Sequence, residues 1–172
     1  LELLVGRLDF TELDSAEEER EARDYLAQYP LNQPGQTGHC ELDLDPLMRL
    51  GIDGMRQRIE ALRGGAEGGQ AETYQTFLYA LEGLSSMIEH AALAAEAAMP
   101  GTSPERRVEL GAMAAACRRL AAAPPASFRE AIQLLWLVIF GVMHGDRAWL
   151  VAPGHLDRTL ALFYDADVAE GR

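Results

Sequence analysis

Four histidines, two cysteines and several close-set carboxylates are the groups in this sequence able to move a proton, relay an electron or hold a metal. His39 follows Gly38 inside PLNQPGQTGHCELDLD, residues 30 to 45, whose prolines, glycines and small polar residues read as a loop. An imidazole in a loop titrates near neutral pH and can hydrogen-bond a substrate hydroxyl or carboxylate, or exchange a proton with it. The alternative role is to fix the loop by bonding its backbone. His144 and Asp146 lie two apart and fall short of a metal-ligand set. His90 reads as a partly buried histidine on an apolar helix face. Asp43 with Asp45, and Asp165 with Asp167, are placed to cap helices rather than to do acid–base work. Cys40 and Cys117 form neither a disulfide framework nor a C-x-x-C pair, so both are assigned structural roles, and a reducing cytoplasm fits them.

The elements that must position these groups centre on PPASFREAIQLLWLVIFGVM, residues 124 to 143. Pro124 and Pro125 end what precedes them. Ser127 with Glu130 three residues on is a capping box, and from Ile132 to Met143 almost every side chain is large and apolar. Such a helix is a membrane span or a core helix. The apolar run is about thirteen residues against the roughly eighteen that a bilayer requires, which favours a core helix and no membrane. After it come the extended piece AWLVA, a Pro153–Gly154 turn, and helical spacing through LDRTLALFYDAD.

Upstream, LELLVGRLDF reads as an extended entry, and Ser15 with Glu18 starts a helix that stops at Pro30. Asp45 and Pro46 suit the N-cap and first position of a helix through Leu62, with Gly51 and Gly54 explained by close packing of a neighbour. GGAEGG, residues 64 to 69, reads as a flexible connector before helices over 71–98 and 104–122. The expected chain is mainly α, with five or so helices and short strands near residues 3–6 and 147–152.

At 172 residues the chain is long enough for one core. A formal net charge of −12 argues against nucleic acid, which recruits basic patches. The first residues show no basic stretch followed by an apolar run. Starting at Leu1 and running off at Arg172, the sequence reads as a fragment.

Two stretches resemble the pyruvate formate-lyase-like glycyl radical enzymes. FREAIQLLW followed by APGHLDRTLALFYDADVAEG is similar to the family's P-x-x-F-x-E-A-h-Q and S-x-G-R-x-D-Q-x-h-x-x-h-Y-x-x-D. Phe128, Glu130, Ala131, Gln133, Gly154, Asp157, Tyr164 and Asp167 match, whereas Ala152, His155 and Arg158 stand where Ser, Arg and Gln are usual. TGHCELDLDPLMRLGIDGMRQRI resembles the family's G-H-x-x-x-D followed by a Leu-x-x-Gly-h-x-Gly-h helix. These matches fall in family order, more than eighty residues apart. Leu3–Gly6 is similar to an apolar-apolar-Val-Gly segment that the family carries early. Around residues 64–69, and between Gly6 and Gly38, the chain looks shortened.

The resemblance implies that residues 1–172 are the N-terminal helical part of a larger domain, packed outside an α/β barrel in the complete protein. It implies a protein-based glycyl radical installed by a radical-SAM activating enzyme, with no cofactor in this chain, and a homodimer acting on a small polar substrate. A C–C, C–O or C–N bond would be broken, and the E-A-I-Q and G-x-x-D pattern leans towards the C–N or C–O group. The family's R-V-x-G-Y-like radical loop and its cysteine context are not found here, so no catalytic residue is expected in this chain. His39 is the candidate for substrate contact. Glu130, Gln133, Gly154 and Asp157 are expected to be structural motif residues, with His155 tying its turn together through Asp157. The competing reading is a non-catalytic helical interaction module, a relative without the radical machinery.

Overall fold

The computed structural model describes residues 3–6, 15–28, 39–145, 148 and 150–171. In chain order these form α1 (Ala16–Gln28), β1 (His39–Glu41), α2 (Asp45–Arg63), α3 (Gly68–Ala97), α4 (Pro104–Leu120), α5 (Phe128–Gly145), β2 (Leu150–Ala152) and α6 (Leu156–Ala169). The chain is mainly α, as expected, with six helices among the described residues.

Helix starts follow the residues that satisfy their free N–H groups. Ser15 Oγ accepts from the Glu18 N–H at 3.2 Å, Ser103 Oγ from Arg106 and Ser127 Oγ from Glu130. The reciprocal half of both capping boxes is redirected. The Glu18 carboxylate takes the Ser15 hydroxyl rather than its amide, and the Glu130 carboxylate accepts from the Ala126 N–H at 2.7 Å. In α2 the N-cap is Leu44, one residue before the expected Asp45. Asp45 sits inside the first turn, where its charge suits the helix dipole, and accepts from Thr159 Oγ1 of α6 at 3.0 Å.

α2 is broken at Gly51, whose φ of +66° favours glycine. The break presses the helix onto the segment before α5. The Asp53 N–H donates to the Ala122 carbonyl at 2.9 Å, and a Cβ on Gly51 would lie 2.4 Å from the Pro124 nitrogen. The neighbour expected at Gly51 is thus a backbone, whereas at Gly54 the nearest atoms are those of the Leu50 side chain in α2 itself. α3 and α4 form a hairpin: Gly111 lies beside Met99, and Ser85 Oγ donates to the Ala121 carbonyl at 2.7 Å. One core joins Met48 and Ile52 of α2, Ile88 of α3, Leu120 of α4 and Leu134 and Leu137 of α5.

β1 and β2 pair in parallel, with His39 opposite Leu150, Cys40 opposite Val151 and Glu41 opposite Ala152. Three expectations are corrected here. Residues 3–6 are not a strand. The strand expected near 147–152 is β2, Leu150–Ala152, with residues 147 and 149 outside the described residues, whereas β1 lies inside the stretch read as loop. A three-residue strand leaves no alternation to read, and its partner lies more than a hundred residues away. The Gly-rich connector is also shorter than expected, because α3 already begins at Gly68. The rest of the 30–45 stretch before His39 lies outside the described residues.

Candidate functional site

The parallel strand pair brings the two chemistry-bearing segments together. His39 begins β1 and pairs across the ladder with Leu150, two residues before Ala152. His39 is described through its backbone alone. The ladder continues one residue beyond the strands, where the Leu42 N–H donates to the Ala152 carbonyl at 3.1 Å. Gly154 then turns the chain with φ +72°, and a Cβ there would stand 3.2 Å from the Leu42 carbonyl oxygen. Only a residue without a side chain lets the turn after β2 close against the end of β1. In sheets of parallel strands, ligands bind beyond the carboxyl ends of the strands. Here that end carries Glu41 and Asp43 on one side and Gly154, His155 and Asp157 on the other, with both carboxylates and the Asp157 carboxylate exposed.

His155 caps α6 without a side-chain bond to its backbone, and Asp157 lies in the first turn of α6. No contact ties His155 to Asp157, so the turn is held by Gly154 and the strand ladder instead. The Leu156 N–H donates to the Gly154 carbonyl at 3.1 Å. Among the described residues, no three His, Cys, Asp or Glu side chains gather as a metal site. His90 is exposed rather than partly buried, and His144 lies against Phe140 with ring centroids 4.4 Å apart. Asp146 lies outside the described residues.

The other motif residues fasten the frame around the strand pair. Glu130 forms an ion pair with Arg119, and Arg119 also donates to the Pro124 carbonyl at 2.8 Å. Together they hold the Pro124–Pro125 corner on which Gly51 rests. Asp167 caps α5, accepting from the Phe128 N–H at 2.9 Å, and Tyr164 meets the Phe128 ring edge-on. Tyr164 and Asp167 of α6 therefore serve the start of α5, the helix that leads into β2. Gln133, 2 % exposed, accepts from the Val5 N–H at 2.7 Å and donates to the Val5 carbonyl at 2.9 Å.

The cysteines differ. Cys117 is fully buried in the α3–α4 core, and burial pushes its thiol up to about 11. A thiol there is protonated and out of reach of solvent, which suits packing. Cys40 is half-buried in β1. Arg119 is a fastener that no motif or spacing singles out. Its only signal is a basic residue in the last turn of a helix that ends at a Pro-Pro corner.

Residues 11–172 match the family described as pyruvate formate lyase-like. The chain is 38% identical over 84 residues to the isethionate sulfite-lyase of Nitratidesulfovibrio vulgaris, covering 48% of this chain and 10% of that protein. It is 31% identical over 144 residues to the probable dehydratase YbiW of Escherichia coli, covering 80% of this chain and 18% of that protein. Its fold resembles the B12-independent glycerol dehydratase from Clostridium butyricum, with a TM-score of 0.73 at 17% identity over 88% of this chain and 24% of that one. A glycyl radical enzyme from Archaeoglobus fulgidus gives 0.68 at 24% identity, covering 91% of this chain and 21% of that one. The chain thus spans a tenth to a quarter of the length of these proteins. With the family match running over nearly all its length and both motif segments laddered side by side, the chain belongs to the pyruvate formate lyase-like family.

Proposed function

We propose that this chain is the N-terminal helical part of a glycyl radical lyase or dehydratase that breaks a C–O, C–C or C–N bond in a small polar substrate. The observation that carries the reading is the β1–β2 ladder, which sets the Gly-His segment beside the Gly154 turn. A protein-based glycyl radical would supply the hydrogen-abstracting power, installed by a radical-SAM activating enzyme. Within this chain, the Glu130–Arg119 pair and Asp167 fix α5, α5 fixes β2, and β2 fixes β1 at the candidate mouth. His39, at the amino end of β1 and so at the other end of the ladder from that mouth, is proposed to hydrogen-bond a substrate hydroxyl or carboxylate. No catalytic role is assigned to Cys117, whose buried, protonated thiol cannot meet a substrate. A homodimeric, cytoplasmic enzyme without nucleic acid or membrane partners completes the proposal. A barrel built by further strands would cover the outer edges of β1 and β2, each of which has a single neighbour among the described residues. Unpaired edges of a parallel pair call for such cover.

The test is electron paramagnetic resonance of the anaerobically activated full-length protein, which should show a glycine-centred radical. In the same preparation, His39→Ala should keep the radical yield and lower kcat/KM about a hundredfold or more. No glycine radical under conditions that activate a related enzyme would defeat the reading. An unchanged kcat/KM in the variant would remove His39 from the site and leave the family chemistry standing.

A further inference from the structure

Residues 3–6 run along α5 and are held by side chains of that helix rather than by a strand. Arg129 Nη2 donates to the Leu3 carbonyl at 3.2 Å. Gln133 bonds both the N–H and the carbonyl of Val5, and Trp136 Nε1 donates to the Gly6 carbonyl at 2.9 Å. Positions 129, 133 and 136 share one face of the helix. The contacts run in the same order along both segments, Leu3 at Arg129, Val5 at Gln133 and Gly6 at Trp136, with the strap bending at Leu4. The helix face thus presents polar groups to a short bent backbone segment running in its own direction. Every one of these bonds goes to main chain, which makes the face a reader of backbone rather than of side chains. Gly6 is the exception that sets a sequence rule: its φ is +110°, and a Cβ there would lie 2.8 Å from the Trp136 indole nitrogen. The Val5 side chain adds packing against the core, whereas Leu3 is half-exposed.

We propose that Arg129, Gln133 and Trp136 form a binding site for a short peptide backbone segment with glycine at its third contact, occupied in this chain by residues 3–6 as a strap. The site couples an early Val-Gly to a glutamine and a tryptophan about 130 residues later, and it stands apart from the functional reading of the strand pair. Burial of Gln133 at 2 % exposure follows from it, because the Val5 backbone satisfies both ends of the amide.

Hydrogen exchange at the Val5 amide in the full chain tests the site. Gln133→Ala and Gly6→Ala should each speed that exchange about tenfold or more, with buried amides of α3 and α4 unchanged. Leu3→Ala should leave it within about twofold, since the site does not read that side chain. If Gln133→Ala fails to fold, Gly6→Ala decides alone, being at an exposed position. Unchanged Val5 exchange in Gly6→Ala overturns the proposal, as does a Leu3→Ala effect as large as that of Gly6→Ala.

Discussion

At the scale of residues, polar groups here act mainly as fasteners between distant segments. Glu130, Gln133 and Asp167 were legible in sequence as motif positions, but the groups they fasten were not. A capping box predicts a local bond, whereas the Glu130 carboxylate reaches Ala126 and Arg119, and Asp167 caps a helix other than its own. Such pairings depend on which elements become neighbours, and spacing along the chain carries no record of that. Cys117 is simpler, because burial alone decides its behaviour. Its thiol titrates from about 11 in the folded chain against an ordinary 9.0, so the folded state holds the proton more tightly. The stability linked to that proton is fully present below about pH 9 and is lost as the pH rises towards 11. Urea melts of wild type and Cys117→Ala at pH 8 and pH 10.5 check this. Wild type should lose more stability than the variant on going to the higher pH, and parallel losses would refute the linkage.

At the scale of elements, helices were readable because each carries its own signals: Ser15, Ser103 and Ser127 at their starts, Pro124 and Pro125 between them, and apolar spacing within. The strands were not, since β1 and β2 are three residues each and are defined only by each other. The break in α2 lies between these cases. Gly51 and Gly54 announced a close neighbour, yet only Gly51 has one from another segment, the backbone of 122–124, while Gly54 faces Leu50 of its own helix. Gly51→Ala should therefore cost stability twice, through about 1–3 kcal/mol of left-handed strain and through the clash with Pro124. Gly83, inside α3 and exposed, has nothing within 4 Å of where a Cβ would stand. Gly83→Ala should stabilise by about 0.5–1 kcal/mol from helix propensity alone. Thermal melts monitored by circular dichroism should move in opposite directions for the two variants, and a tolerated Gly51→Ala would mean that the α2 break does not matter to the fold.

At the scale of the whole molecule, the question is what covers α5. The helix runs for 18 residues, longer than its thirteen-residue apolar run suggested, and is long and apolar enough to cross a bilayer by length and composition. Only 33% of it is buried. One side packs into the core through Leu134 and Leu137, while Trp136, Phe140 and Met143 remain half-buried. Towards its C-terminal end, Val138 and Val142 line a groove of about 770 Å³ with Ile59, Phe77, Leu84 and Met87 of α2 and α3. An open apolar groove of this size is a place where dye, or another copy, binds. The 172-residue chain expressed alone should therefore enhance the fluorescence of a hydrophobic dye strongly and self-associate. Val142→Asp, which places a charge in the groove wall without touching the fully buried core, should reduce dye binding severalfold at unchanged helix content. A monodisperse monomer that melts cooperatively and ignores the dye would mean that these residues close their own core, and that the groove is filled by the chain itself.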